Sequence, residues 1–257
     1  MLYTDIFDGA VRQVLRSSTL TPSVRVGDEG PRACEPLGTK RVRGILHCLD
    51  HMQLVRSSVQ RKFHDAFLRA CAMHLYSLDS VSMSDVMKWH NWEHVRCSVL
   101  TLTPRRYGKT TAVASFLAAY ALNVSGSECA VFSTGKRASG KMLELIAQLV
   151  CQAGGTERIM KQNQEQLWLR GDVEGDVRKI SSYPSAVSTL RGCGGDVLVL
   201  EEAAFIDTEV FLQVVVPLLQ LENTALIAIS TPQGSDNYYS KLFTLTDASG
   251  RPFFTTL

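Results

Sequence analysis

The sequence has 257 residues, a length sufficient for one large domain with a hydrophobic core. Of these residues 45% are hydrophobic, 20% charged and 8% aromatic, a composition that excludes a disordered chain. The net charge of +2 neither indicates nor excludes a nucleic-acid partner, and no apolar run is long enough to span a membrane. The seven cysteines form no C-x-x-C pair, and residues 1–10 contain no basic side chain. We therefore expect an intracellular protein of the cytoplasm or nucleus, without a signal peptide or a membrane partner.

The N-terminal region changes character along its length. Residues 17–39 are rich in Ser, Thr, Pro, Gly and charge, which predicts a flexible loop and, for residues 1–56, a partly flexible N-terminal arm. Apolar residues then recur at helical spacing over residues 57–78, which predicts one amphipathic helix. A short helix is expected at residues 84–90, with Ser84 available as its N-cap.

After Trp92, short apolar runs alternate with helical patterns. The runs predict strands at residues 97–103, 129–133, 167–169, 177–181, 196–200 and 225–230. Helices are expected at residues 109–121, 137–151 and near 207–216. This alternation predicts an α/β domain with a mostly parallel sheet flanked by helices.

The segment LTLTPRRYGKTTAVASF combines a strand, a short loop and a helix start at Gly108, which is the setting of a phosphate-binding loop. Backbone N–H groups of the loop would point at phosphate oxygens. The Lys109 amine would neutralise β- and γ-phosphate charge, and the Thr110 hydroxyl would ligate Mg²⁺. Thr103 stands where the motif usually has its first glycine, so an ordinary helix start is the alternative.

Other residues of this loop are candidates for contacts with the nucleotide. They are Pro104, Arg106, Tyr107, Gly108 and Thr111. Arg105 is the candidate for stabilising transition-state charge from within the chain. The alternative for both arginines is a solvated position or a pair with surface acids.

Two further strand ends carry polar side chains. Glu201 and Glu202 end a buried apolar strand, where packing gives no reason for paired acids. At the carboxyl edge of a parallel sheet such acids face a ligand, so Glu201 is predicted to hold Mg²⁺ and Glu202 to activate the attacking water. Exposed loop acids are the alternative. Ser230 and Thr231 end the next strand and are predicted to couple hydrolysis to the following segment, although S-T-P is also an ordinary turn sequence.

Four segments, in this order, resemble the ATPase domain of viral large terminase subunits, the motors that package DNA into phage and herpesvirus capsids. They are TPRRYGKT, VFSTGKRAS, LRGCGGDVLVLEEAAF and ISTPQGSDNYYSKLF. The resemblance implies a P-loop NTPase fold of the additional-strand, catalytic-Glu type. It implies an ATPase domain at residues 57–257, with a helical lead-in at 57–92 and the motif core at 95–245. The nuclease domain of full terminases is expected to be absent from this chain.

The resemblance also implies roles for single residues. Arg105 maps to the arginine of the Walker A segment, and Glu201 stands where the Walker B pair usually begins with Asp. Arg191 is implied as a contact to the nucleotide or a neighbouring subunit, with a surface turn as the alternative. Gln60 is the candidate for reading adenine, and Gln53 is the second choice. Two aromatic side chains are candidates for stacking on the base, although core packing is the stronger explanation for both: Phe63 and Tyr76.

Function follows from the same resemblance. It implies ATP and Mg²⁺ as cofactors, and a motor that translocates double-stranded DNA held by its phosphates without base readout. The implied partners are DNA, further copies in a homo-oligomeric ring, and a viral portal or small terminase subunit, in the host cytoplasm or nucleus. The candidate DNA grips, which are equally explained as solvated faces, are Lys136, Arg137, Lys141, Arg158 and Lys161. The alternatives are a helicase-like ATPase stimulated by nucleic acid and a truncated or degenerate terminase fragment that binds nucleotide without turnover.

Overall fold

The computed structural model describes residues 35–184, 195–218, 223–234, 237–246 and 250–257. The helices are α1 (Leu37–His51), α2 (Ser58–Ala70), α3 (Ala72–Leu75), α4 (Met83–His90), α5 (Lys109–Asn123), α6 (Lys136–Gln152), α7 and α8 (Tyr238–Leu242). Helix α7 runs through the consecutive segments Thr208–Val210, Phe211–Val215 and Val216–Leu218. The strands are β1 (Ser98–Leu102), β2 (Glu128–Ser133), β3 (Ile159–Gln162), β4 (Gln166–Arg170), β5 (Val177–Pro184), β6 (Val197–Glu201), β7 (Ala225–Ser230) and β8 (Thr255–Thr256).

All of these strands join one eight-stranded sheet in the order β3-β4-β5-β2-β6-β7-β1-β8. Neighbours from β5 to β8 in this order run parallel, whereas β3 and β4 form an antiparallel extension beside β5. The predicted α/β fold with a mostly parallel sheet is confirmed.

Helices cover both faces of the central strands, which is why those strands are mostly apolar and carry their polar residues chiefly at the ends. Helices α1 to α6 pack on the face that includes Val99, Val131, Val199 and Ile227. Helices α7 and α8 pack on the opposite face, which includes Leu100, Phe132, Leu198 and Ala228. Neighbouring side chains of a strand point to opposite faces of the sheet. The side chains of β6 and β7 therefore alternate between two hydrophobic cores. No described helix is long and apolar enough to cross a membrane.

Within the predicted N-terminal arm at residues 1–56, Leu37–His51 forms the helix α1, which was not predicted; residues 1–34 lie outside the described residues. Helix α1 has no side-chain cap and contains Gly38 and Gly44, both of which weaken the local helix signal. A Cβ on Gly38 would lie 2.4 Å from the Tyr76 ring, so the glycine permits close approach. Tertiary packing of the buried face therefore stabilises α1 more than local propensity does.

Three other local predictions differ from the structure. The single helix expected over residues 57–78 is interrupted after Ala70. Cys71, which has ψ of 0°, separates α2 from the short helix α3. The N-cap of α4 is Ser82, whose hydroxyl accepts a hydrogen bond from the Asp85 N–H, and Ser84 lies inside the helix. Strand β3 was not predicted, since this mostly exposed edge strand has no apolar alternation.

Candidate functional site

The predicted site residues meet where β1, β2, β6 and β7 end, here called the carboxyl edge. Leu102 of β1 pairs with Ser230 of β7, and Glu201 of β6 pairs with Ile229 of β7. The loop after β1, the two glutamates and the Ser-Thr turn therefore lie side by side. This is the place where parallel α/β sheets bind ligands.

The loop before α5 has the backbone shape of an anion site. Gly108 has φ of 79° and Arg106 has φ of 64°, both in the left-handed region. The positive φ favours glycine at position 108, and a Cβ there would lie 2.8 Å from Gln60 Nε2, which shows how closely Gln60 approaches the loop. No side chain caps the N-terminus of α5. Its first N–H groups thus stay available for a phosphate, which supports the predicted nucleotide fit.

Lys109 lies within this loop and is only 6% exposed. Its Nζ donates to the carbonyl oxygens of Thr103 and Pro104, at 3.0 and 3.1 Å. Burial lowers the pKa of Lys109, and the charge of Glu202 acts in the opposite direction. The amine is thus held at the loop by neutral oxygens, which phosphate oxygens could replace with stronger, charge-assisted bonds.

The Glu201 carboxylate is held by two hydroxyl groups. Thr110 Oγ1 donates to Oε1 at 3.1 Å, and Ser133 Oγ donates to Oε2 at 2.8 Å. Burial raises the pKa of Glu201, which the bonds from Ser133 and Thr110 partly offset. Oxygen ligands from Thr110 and Glu201, completed by phosphate and water, suit Mg²⁺. The described residues contain no cluster of three or more His, Cys, Asp or Glu that suits a metal, so phosphate oxygens would be needed.

Glu202 adopts a left-handed conformation with φ of 51° and ψ of 49°, which is uncommon for a residue other than glycine. Its Oε2 accepts bonds from Thr231 N and Thr231 Oγ1, at 3.1 and 2.9 Å. Ser230 Oγ in turn accepts from the Ala204 N–H at 3.1 Å. The predicted water-activating and coupling residues therefore form one hydrogen-bonded group.

Gln60 lies over the loop before α5. Its Oε1 accepts from the Ser57 N–H in a capping box, and its Nε2 approaches the Gly108 carbonyl oxygen at 3.4 Å. One turn later, His64 Nε2 bonds the Ala112 carbonyl oxygen at 2.9 Å. Helix α2 is thus docked along the first turns of α5. Gln53 is exposed, and within the described ranges no hydrogen bond joins it to the loop.

The two aromatic candidates for base stacking are core residues. Phe63 is 2% exposed and Tyr76 is 4% exposed. The Tyr76 hydroxyl bonds His90 Nε2 at 2.6 Å, and its ring packs against Gly38. Core packing, the stronger explanation of the sequence pattern, accounts for both rings.

The remaining candidates lie at the surface or outside the described residues. Pro104, Arg105, Arg106 and Tyr107 are exposed, and within the described ranges neither arginine has a hydrogen bond or ion pair. Thr111, in the first turn of α5, is partly exposed. Arg191 belongs to residues 185–194, which are outside the described residues.

Three of the five candidate DNA grips have surface partners. Lys136 pairs with Glu165 at 3.3 Å, and Arg158 pairs with Asp172 at 2.6 Å. Lys161 donates to Gln166 Oε1 at 2.8 Å. The other two grips, on α6, are exposed: Arg137 and Lys141.

Sequence reasoning missed Ser133. It ends β2, which neighbours β6 with Phe132 paired to Leu200, so Ser133 is level with Glu201. A serine at the end of an apolar run was visible in the sequence, but the neighbouring order of β2 and β6 was not.

Solved structures match this architecture. The ATPase domain of the Thermus phage P74-26 large terminase is 16% identical with a TM-score of 0.55, over 66% of this chain and 78% of that one. The large terminase of a thermophilic bacteriophage, in complex with ADP, is 13% identical with a TM-score of 0.56, over 78% of this chain and 44% of that one. The HK97 bacteriophage large terminase is 16% identical with a TM-score of 0.58, over 85% of this chain and 43% of that one. No protein-family model and no curated protein matches the sequence.

The chain has the fold of a large terminase ATPase domain. The implied fold, a mostly parallel sheet flanked by helices as in these ATPase domains, is therefore confirmed. This terminase-like fold spans less than half of the ADP-bound terminase and less than half of the HK97 protein. The division into an arm and an ATPase domain stays a prediction.

Proposed function

We propose that this protein is the ATPase module of a terminase-like DNA-packaging motor and that its carboxyl edge binds and hydrolyses Mg·ATP. The observation that supports this most is the meeting of three groups at that edge of a terminase-type fold. They are the Lys109 amine, the Thr110–Glu201 pair and the Glu202 carboxylate. Each is the kind of group that phosphoryl transfer to water requires.

Nucleotide binding begins at the loop before α5. The uncapped N–H groups of the helix start bond the phosphates, and Lys109 exchanges its two carbonyl partners for phosphate oxygens. Thr110 and Glu201 would hold Mg²⁺, which supplies positive charge against the phosphates when bound. Gln60, whose Nε2 lies 3.4 Å from the Gly108 carbonyl oxygen, is the proposed contact to the base.

Hydrolysis then depends on Glu202. Its carboxylate accepts a proton from the attacking water, while Thr231 N and Thr231 Oγ1 hold its Oε2 in place. The exposed Arg105, or an arginine of a neighbouring subunit, offsets charge that develops on the γ-phosphate. Thr231 is bonded to Glu202, and Ser230 is bonded to Ala204. Protonation of the Glu202 carboxylate weakens its bonds from Thr231 and thereby moves the turn after β6.

The similarity in fold to large terminases also supports proposals on the DNA substrate, the oligomeric state and the assembly partners. The proposed substrate of translocation is double-stranded DNA, contacted through its phosphates. The proposed active form is a homo-oligomeric ring. A viral portal or a small terminase subunit is the proposed assembly partner. Arg137 and Lys141 are the proposed DNA contacts. Both are exposed in the N-terminal part of α6, which follows β2 at the carboxyl edge.

The test is the rate of ATP hydrolysis with and without double-stranded DNA. We expect hydrolysis by the wild type, stimulation by DNA, and loss of turnover in Lys109→Ala and Glu202→Gln, while Glu202→Gln still binds ATP. Wild-type turnover at background level, with ATP bound, would instead indicate a nucleotide-binding protein without turnover. A strand-separation assay covers the helicase-like alternative, because a packaging motor does not unwind the duplex.

A further inference from the structure

Ser133 is a buried polar residue at the carboxyl edge that the proposed reaction has not used. Its exposed fraction is 0%, and its Oγ donates to Glu201 Oε2 at 2.8 Å. Its position is fixed by β2, which lies between β5 and β6 and is paired to both along its length. The hydroxyl therefore comes from a rigid element of the sheet.

The two hydroxyl partners of Glu201 come from different directions. Thr110 lies on α5, at the phosphate-binding loop, and bonds Oε1. Ser133 lies on the neighbouring strand and bonds the other oxygen, Oε2. A metal ion at the Thr110 side of the carboxylate leaves the bond from Ser133 in place. Ser133 can thus orient the carboxylate without competing with the metal.

The length of the acid makes this orientation useful. Glutamate has one more rotatable bond than aspartate, and fixing a side chain costs conformational entropy. A bond to Oε2 from a fixed strand restricts that freedom before any metal binds. Partners of this kind, which hold a ligating carboxylate, commonly change metal affinity about 10- to 100-fold when removed.

We propose that Ser133 is a positioning residue that fixes the Glu201 carboxylate for the divalent cation of the bound nucleotide. The proposal rests on the proposed function, since it needs a nucleotide and a cation at this edge. Ser133, the first of the two serines in the segment VFSTGKRAS, thus has a role in cation affinity and none in contacting the phosphates.

The experiment titrates Mn²⁺ into ADP-saturated protein and follows free Mn²⁺ by electron paramagnetic resonance. In Ser133→Ala we expect Mn²⁺ affinity to fall about tenfold. ADP affinity measured in EDTA should change less than about twofold, because Ser133 does not touch the phosphates. Ser133→Cys, which keeps a side-chain donor but a weak one on a larger sulfur atom, should lose Mn²⁺ affinity in the same way.

Two controls separate positioning from a general packing effect. Ser182→Ala removes a hydroxyl from the adjacent strand β5 that is 1% exposed and has no hydrogen-bond partner among the described residues, and it should bind Mn²⁺ as the wild type does. In a Glu201→Ala background, Ser133→Ala should cause no further loss of Mn²⁺ affinity, since its effect passes through the carboxylate.

The possible results are distinct. Wild-type Mn²⁺ affinity in both Ser133 variants, or an equal loss with and without Glu201, overturns the positioning role while ADP and Mn²⁺ binding by the wild type still supports the nucleotide site. A wild-type protein that binds neither ADP nor Mn²⁺ overturns the proposed function and this role with it.

Discussion

The two ends of α5 hold charged side chains in opposite ways. At the N-terminal end, the Lys109 amine bonds two neutral carbonyl oxygens of its own loop. At the C-terminal end, the Arg178 guanidinium bonds the carbonyl oxygens of Ala121 and Leu122 and also the carboxylates of Asp172 and Asp176. The first cation lacks a direct carboxylate partner among the described residues, and the second has two.

We therefore expect the N-terminal end of α5 to contribute to ligand binding and the C-terminal end to contribute to the stability of the fold. Arg178 and Asp176 side chains are 2% and 3% exposed, so their charges compensate each other out of water. Burial acts to raise the pKa of Asp176, but bonds from Arg178 and from the Gly126 N–H hold it below its usual range. The C-terminal end is thus complete by itself, whereas the N-terminal end has room for a stronger, anionic partner. Substitutions at the two ends should therefore affect different measurements.

The largest expected effect is on stability at the C-terminal end. Arg178→Ala leaves the buried Asp176 charge without its partner, which should lower the free energy of unfolding by about 4 kcal/mol. Urea denaturation measures this loss, with Arg170→Ala on the adjacent strand as the exposed control, expected within about 0.5 kcal/mol of the wild type. The comparison fails if Arg178→Ala is as stable as its control.

The next effect is a pH dependence at the N-terminal end. Burial lowers the pKa of His64 from 6.5 to about 4, although its bond to the Ala112 carbonyl acts to raise it. The unfolded chain therefore binds a proton at a higher pH than the folded one, and the stabilisation is fully present above pH 6.5. It should fall by about 3 kcal/mol as the pH drops toward 4.

The control for this prediction is His64→Gln, which keeps an N–H donor but does not titrate in this range. Stability measured from pH 7 to pH 4 should decline less steeply in the variant than in the wild type. Parallel profiles would mean that His64 is protonated in the folded protein.

A smaller effect is expected on nucleotide affinity. Lys109→Ala removes a charge-assisted bond to phosphate, so ATP affinity should fall about 30-fold, or about 2 kcal/mol. Isothermal titration calorimetry measures it, and Lys62→Ala, an exposed lysine on α2, is the charge-matched control. Equal affinities in the two variants would remove Lys109 from the nucleotide site.

The smallest effect concerns the start of α2. Ser57→Ala removes the N-cap of the capping box that includes Gln60, which should cost about 1 kcal/mol of stability. Ser58→Ala, at the next position, has no cap to lose and should stay within about 0.3 kcal/mol of the wild type. Chemical denaturation of both variants checks the assignment, and equal losses would argue against the cap.

The sequence allowed the prediction of the carboxyl edge because each part of it is local. A helix begins at residues 108–110 directly after a strand, and another strand ends at Glu201 and Glu202. Each segment can therefore be recognised from its own residues. Parallel strands then place these ends together. The alternation of strands and helices predicted the fold class for the same reason.

What could not be predicted depends on contacts between distant segments. Ser133 gains its importance only because β2 lies beside β6, and Arg178 only because β5 lies near the end of α5. Helix α1 depends on packing that its glycines permit. Such pairings are set by the tertiary structure, and no short pattern in one sequence states them.

The central claim is that the carboxyl edge hydrolyses ATP through Glu202. The most direct test measures the hydrolysis rate of the wild type and Glu202→Gln at saturating Mg·ATP, together with ATP affinity. We predict a rate about 10³-fold lower in the variant, because the general base is lost, with ATP affinity changed less than about threefold. Equal rates in the two proteins, or wild-type turnover at background level, would contradict the account.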